Sequence, residues 1–363
     1  MATTVNTNFE TTCLTANLPE EVEIETDAAQ LEVNIFIGNV KVFKSVYYPF
    51  NSLVSVRDIR SIIEAALFEQ HLVMATLKIE VYEPKNNVTN TQTVIDENGN
   101  YVMTFGSDGS ASPDATVEDV KVVYCRFKTG SSSSDFLRFH FLTTRKSALL
   151  PRNGKITICN HTQGYVMGTN LARIYYSVPW SPGQMLIYNW DFGRMQSTTE
   201  AIITSNKTYD DFKNAVNEPS CTVHMVEYQI GTRYFNIFFT DEKATDVFTF
   251  VNAFNIEETA FLFNTTTVKT EVDRSEAVCG NRMQFYDETV KVKHEVETAP
   301  LTYDEAMWLN QMLTSKLVKR PMNDGEEAEV LISDISSEVS DADKELIRLK
   351  FSWKYADGTE RLY

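Results

Sequence analysis

Apolar and polar residues alternate along much of this 363-residue chain, the period-two pattern of strands with one face on a core. In "LEVNIFIGNVKVFKSVYY" the apolar positions are Val33, Ile35, Ile37 and then Val40 and Val42. Gly38-Asn39 breaks the run, a hairpin signal. "MATLKIEVYE" alternates at Leu77, Ile79 and Val81, and "TVIDENGNYVMTF" predicts a hairpin around Asn98-Gly99. "VKVVYCRF" and "FLRFHFLTT" read as two strands joined by Gly130 and four serines. Beyond residue 150 come "GKITICNH", "ARIYYSV", "QMLIYNW", "CTVHMVEYQI" and "RYFNIFFT", all strand-like. "VFTFVNAFN", "TAFLFNTTTVKTEV", "VKVKHEVETA", "EVLISDI" and "IRLKFSWKY" follow.

The period changes in two places. Over about 55–71, Ile59, Ile62, Ile63, Ala66 and Leu67 share one helical face, with Ser55 and Asp58 placed as a capping box. Over about 303–317, Thr302 and Glu305 make a Thr-x-x-Glu box, and Ala306, Leu309, Leu313 and Leu317 draw a stripe. Trp308 and Met312 lie at the margin of that stripe, where they would reach a neighbouring subunit. A shorter helix is expected at "TYDDFKNAV", with Thr208 as cap and Asp211 in the third position.

The pattern predicts a mainly β fold with two or three antiparallel sandwich- or barrel-like domains, and amphipathic helices packed on the sheets. Residues 1–30, polar and Thr-rich, read as an arm, flexible or bound to a partner. Residues 31–145 form a β domain with one helix. Residues 146–363 form a β-rich region, divisible near 245, with the C-terminal helix and terminal strands. One helix per β domain suggests a duplicated architecture, although the halves do not align residue by residue.

Composition narrows the chemistry. Hydrophobic residues at 43% and charged residues at 23% are ordinary for a globular chain, which excludes wholesale disorder. Acidic residues number 50 against 33 Lys and Arg, a net charge of −17. That balance opposes a phosphate-tracking surface, so DNA contact is expected at most through a lumen and without sequence recognition. The five cysteines, Cys13, Cys125, Cys159, Cys221 and Cys279, form no CxxC pair and read as free thiols. No secretory leader and no membrane-spanning run is expected.

No catalytic constellation emerges. His71, His140, His161, His224 and His294 lack metal-ligand spacing, and His140 and His224 sit in strand patterns. There is no GxSxG, no Walker loop and no GxGxxG. The acidic run from Asp324 to Glu345 lacks the calcium-loop spacing. No metal and no cofactor is expected, and the chain reads as a non-enzyme. The tryptophans Trp180, Trp190, Trp308 and Trp353, with Met312, stand instead as candidate interface anchors. Trp180, flanked by Pro179 and Pro182, also suits the alternative of a carbohydrate- or receptor-binding β module, a fibre or adhesin.

Three stretches, "NAFNIEETAFLFNTTTVKTEVDRSE", "YDETVKVKHEVETAPLTYDEAMWLNQMLTSKLV" and "EVLISDISSEVSDADKELIRLKFSWKYADGTERLY", carry a resemblance. They resemble β-rich structural proteins of the tail and baseplate of phages and prophages of Bacteroidetes. The likeness spans about Phe250 to the C-terminus, with a fainter echo at "VKVFKSVYYPFNSLVSVRDIRSIIEAAL". It implies a tail-tube-like fold, a sandwich flanked by a helix that closes into rings through strand edges. It implies a homo-oligomeric ring, collar or hub in the tail, the baseplate or at the head–tail vertex. Other virion proteins would be its partners, after synthesis in the host bacterial cytoplasm. With two such domains the chain would be similar to hubs that build a pseudo-hexameric ring.

Overall fold

The structure, a computed structural model, describes residues 2–83, 91–95, 101–105, 112–162, 172–188, 200–322, 325–336 and 347–358, with the backbone alone at 91–95, 101–105 and 188. The chain divides into two compact units, Met1–Ser133 and Ser134–Tyr363, and both are mainly β.

In the first unit, strands β1 (Thr4–Val5), β2 (Thr12–Leu14), β3 (Glu21–Glu25), β4 (Leu31–Ile37), β5 (Val40–Tyr47) and β6 (Leu53–Arg57) lead to helix α1 (Ile59–Glu69). Strand β7 (Met74–Tyr82), the paired β8 (Thr91–Ile95) and β9 (Tyr101–Phe105), and β10 (Ala115–Val123) follow. A five-stranded sheet runs β2-β10-β7-β4-β5, and β1, β3 and β6 make a second sheet. Leu31, Val33, Ile35 and Ile37 turn inward with Leu77, Ile79 and Val81. They meet Val22, Ile24, Val54 and Val56 of the smaller sheet and Ile59, Ile63 and Leu67 of α1. Each fully buried aliphatic of this kind contributes about 1.5–3 kcal/mol. The Gly38-Asn39 turn forms, with Gly38 at φ +58°, a conformation that disfavours a Cβ. The turn at Asn98-Gly99 lies outside the described residues.

Two expectations are corrected here. Residues 1–30 are no loose arm: β1 pairs β3, β2 pairs β10 in parallel, and Leu14, Ala16, Leu18, Val22 and Ile24 are buried in this unit. Ser55 does not cap α1, because it belongs to β6 opposite Glu23 and donates to Glu21 Oε2 at 2.5 Å. Asp58, in the left-handed region at φ 61°, starts the helix instead.

Helix α2 (Ser133–Phe139) replaces the strand expected at "FLRFHFLTT". Asp135 in its first turn and Arg138 in its last suit the helix dipole. Phe136 stacks on His140 at the i,i+4 spacing, 4.3 Å between ring centroids.

The second unit continues with β11 (Ser147–Pro151), β12 (Lys155–His161), β13 (Ala172–Val178), β14 (Ser181–Tyr188) and β15 (Ile202–Thr208). Helix α3 (Tyr209–Val216), β16 (Thr222–Ile230) and β17 (Arg233–Thr240) come next. Here the five-stranded sheet runs β11-β17-β16-β13-β14, with β12 paired to β15. This is the first unit's topology again. In each copy the first strand lies parallel beside the last, the other pairs are antiparallel, and one helix precedes the last two sheet strands. The matched pairs β4 and β13, β5 and β14, and β7 and β16 even agree in length, at 7, 8 and 9 residues. Helix α1 therefore corresponds to α3, not to the C-terminal helix. Thr208 and Asp211 close the expected capping box on α3.

The rest of the second unit is a different module. Strands β18 (Asp246–Val251), β19 (Glu257–Leu262), β20 (Thr265–Cys279) and β21 (Arg282–Glu297) precede helix α4 (Tyr303–Leu313). Strands β22 (Val318–Pro321), β23 (Glu327–Ser336) and β24 (Lys350–Tyr355) complete an antiparallel sheet in the order β19-β18-β22-β23-β24-β21-β20. The Thr302–Glu305 capping box forms, but the helix ends at Leu313, short of 317. Its buried residues, Ala306, Trp308, Leu309, Gln311, Met312 and Leu313, cover more than half its circumference. It is wedged into the core rather than leaning on one sheet.

Candidate functional site

The module's most unusual feature is the β20–β21 hairpin. Its strands run 15 and 16 residues against a usual 5–6. Gly280, at φ +65°, turns the chain with Asn281. Only His294 to Glu297 of β21 pair with β24, so among the described residues the ten pairs from Thr270–Val292 to Cys279–Arg282 have no third strand beside them and form an arm about 30 Å long.

The base of the arm is tied down. Arg320 meets buried Asp246 at 3.1 Å, and Asp246 Oδ2 accepts from Asn264 Nδ2 (3.0 Å) and Thr266 Oγ1 (2.5 Å). His294 stacks on Trp353 with centroids 3.9 Å apart. Val296, one strand period further in, belongs to the core. The same face then continues outward with no described element packed over it. By strand alternation it carries Val268, Val272, Val278, Met283, Phe285 and Val290, interrupted by the Arg274–Glu288 ion pair and by Glu276, and all six apolar residues are exposed. The opposite face is charged, with Lys269–Glu295 at 2.8 Å and Lys291–Asp273 at 3.6 Å. A groove of about 630 Å³ at the arm's base is lined by Lys291, Lys293, Asp334 and Lys354. The Lys293–Asp334 ion pair, at 2.5 Å, neutralises much of it.

Two further surfaces are sheet edges. β5 and β14 are the terminal strands of their sheets, with Val40 and Val46 exposed on one and Met185 and Ile187 on the other. Unpaired edges are ready templates for another chain. The hairpin leading into β14 turns at Pro179-Trp180, the counterpart of Gly38-Asn39, and leaves Trp180 71% exposed.

The expected interface residues separate accordingly. Trp180 is on the surface. Trp308, Met312 and Trp353 are not: all three are core residues of the C-terminal module. Trp308 lies 4% exposed, edge-on to Phe250, and donates from Nε1 to Glu258 Oε2 at 2.6 Å. Trp190 lies outside the described residues. The arm's apolar face was the feature overlooked in the sequence, although Gly280-Asn281 carries the same turn signal as Gly38-Asn39.

No protein family and no curated protein matches this chain by sequence.

Chemistry offers little to set beside the arm. Ser177 and His224 share a hydrogen bond at 2.7 Å, but across an open, exposed pair of strands with no carboxylate described as orienting the imidazole. Among the described residues no group of three or more His, Cys, Asp or Glu is placed to hold a metal, and no helix is long and apolar enough to cross a membrane. Burial pushes the thiols of Cys13, Cys125 and Cys159 up to about 11 and raises that of Cys221. Cys279, beside the arm's turn, is exposed. Since the thiolate is the reactive form, the folded protein at pH 8 is expected to titrate one thiol quickly with a disulfide reagent. The other four should react only on denaturation, and Cys279→Ser should remove the fast phase.

Proposed function

We propose that this protein is a non-enzymatic structural subunit that assembles with copies of itself into a ring or hub of the phage tail or baseplate kind. The β20–β21 arm and the edges β5 and β14 are its contacts. The observation that carries this reading is the free-standing amphipathic arm. A two-stranded hairpin is marginal in water, and one that displays valines, Met283 and Phe285 gains stability from a surface that covers them. The duplicated sandwich supports the hub form, since a ring of three chains would present six like domains. Ring closure gives every exposed edge a partner without an open filament.

Mass photometry of the full chain over a range of concentrations tests it, beside a variant in which residues 270–292 are replaced by Asn-Gly. The expected result is an assembly of defined stoichiometry for the full chain, and at least a tenfold higher assembling concentration for the variant, with both melting alike. Unaltered assembly after arm removal would overturn the role of the arm. A strictly monomeric chain that binds glycans on an array would favour the second reading, a carbohydrate- or receptor-binding module, for which the exposed Trp180 is the supporting observation.

A further inference from the structure

The two sandwich copies share a topology but present different outer faces. In the first, the row Thr116–Glu80–Asn34–Lys44 crosses β10, β7, β4 and β5. Beside it Phe36 is flanked by Lys41 and Lys78, 5.5 and 6.0 Å from the ring centroid. Lys44 pairs with Glu32 at 3.0 Å and Lys78 with Glu80 at 2.6 Å. That face is ionic and at home in water.

In the second copy the row Leu149–Phe238–Met225–Tyr175–Met185 crosses all five strands, β11 to β14. No member carries a charge. Leu149, Phe238 and Met185 are exposed, and Met225 and Tyr175 half-buried. The next row holds Arg173 and Glu227, which neutralise each other at 2.6 Å, and exposed Ile187. A sheet face of this composition, on a fold whose twin is charged there, is built to be covered.

We propose that the outer face of this second five-stranded sheet seats the β20–β21 arm of another copy of the chain. This names the partner surface for the assembly reading and rests on it. Three observations select a second copy. The sheet face is apolar with one internally neutralised Arg–Glu pair, and the arm face matches it with Arg274–Glu288 at 2.8 Å while adding one further carboxylate, Glu276, opposite Phe285. Their dimensions agree: sheet strands of 5–9 residues span about 17–30 Å, and the free arm about 30 Å. Two chains of net charge −17 repel at range, and a charge-poor contact adds least to that repulsion.

One arm, about 10 Å wide, covers roughly 300 Å² of the sheet, less than the ~800 Å² per partner of a stable pairwise interface. Single contacts are therefore weak, and assembly is cooperative, each chain giving one arm and receiving another. Because the contact is apolar and the chains repel, raising salt towards about 0.5 M should promote assembly, whereas a basic partner would be released.

The test uses full chains carrying Cys279→Ser, one with Val290→Cys on the arm and one with Met185→Cys on the sheet. They are mixed below the assembling concentration, concentrated, and treated with a short bis-maleimide. A cross-linked dimer from the mixture, from neither chain alone, and not when Lys44→Cys replaces Met185→Cys, is the expected result. Cross-linking of Val290→Cys to itself would show arms pairing with arms and overturn the seat. Assembly by mass photometry without the mixed cross-link would also overturn it while leaving the assembly reading intact. Absence of any assembly would remove both.

Discussion

Trp308→Ala is expected to lower the stability of the second unit by about 3–5 kcal/mol, the cost of emptying a large aromatic site in a packed core. Urea unfolding followed by circular dichroism measures it. Trp308 fills the space between α4 and Phe250, and Arg145 lies over its ring with the guanidinium carbon 3.8 Å from the centroid. Assembly measured well below the melting temperature should be unchanged, the reverse of what its place at the edge of the helical stripe suggests. Trp308→Phe should recover most of the loss and leave about 1–3 kcal/mol, the cost of depriving Glu258 of its indole donor.

Glu258→Ala should cost about as much as Trp308→Ala, because a buried charge is removed from donors that cannot find another acceptor. Glu258 Oε1 accepts from Asn252 Nδ2 at 2.5 Å and Oε2 from Trp308 Nε1 at 2.6 Å. Asn252 in turn reaches the Leu142 carbonyl at 3.1 Å, and its Oδ1 accepts from Phe254 and Ile256. Arg145, pushed down to about 10 by desolvation, is held charged by Glu258 and Glu305. Gln311 extends the network, accepting from the Ala253 N–H at 3.0 Å and donating to Thr144 Oγ1. Glu258→Gln, which keeps an acceptor and loses the charge, should be milder. The Trp308→Ala, Glu258→Ala double variant should lose less than the sum, because both changes break one network. Strict additivity would show that the two side chains act independently.

What was legible in the sequence was local. Thr208 with Asp211 and Thr302 with Glu305 cap helices within one turn of their own chain, so spacing suffices to find them. Ser55 with Asp58 has the same spacing and fails, because β3, some thirty residues earlier, recruits Ser55 into a ladder. The long arm was half visible. Val268, Thr270 and Val272 alternate with charges, but the irregularity between Ser275 and Glu276 breaks the period opposite Tyr286. The helical α2 stayed hidden because four serines resemble a linker, although Ser133 is buried and its Oγ accepts from the Leu14 N–H at 3.0 Å.

The duplication shows the limit most clearly. An inward Val33 or Ile174 satisfies the same requirement of an apolar, strand-compatible side chain, so two copies keep one topology with little residue identity to betray it. Chain order alone cannot show that β2 lies beside β10 as β11 lies beside β17. Most strand periods, the Gly38-Asn39 turn and the caps at Thr208 and Thr302 were settled by the chain itself, since each depends on residues a few positions apart. Which apolar faces are covered was decided only by tertiary structure. Trp308 and Val290 both read as apolar positions in the sequence, yet one is enclosed by strands more than forty residues away and the other extends past the last residue paired with β24.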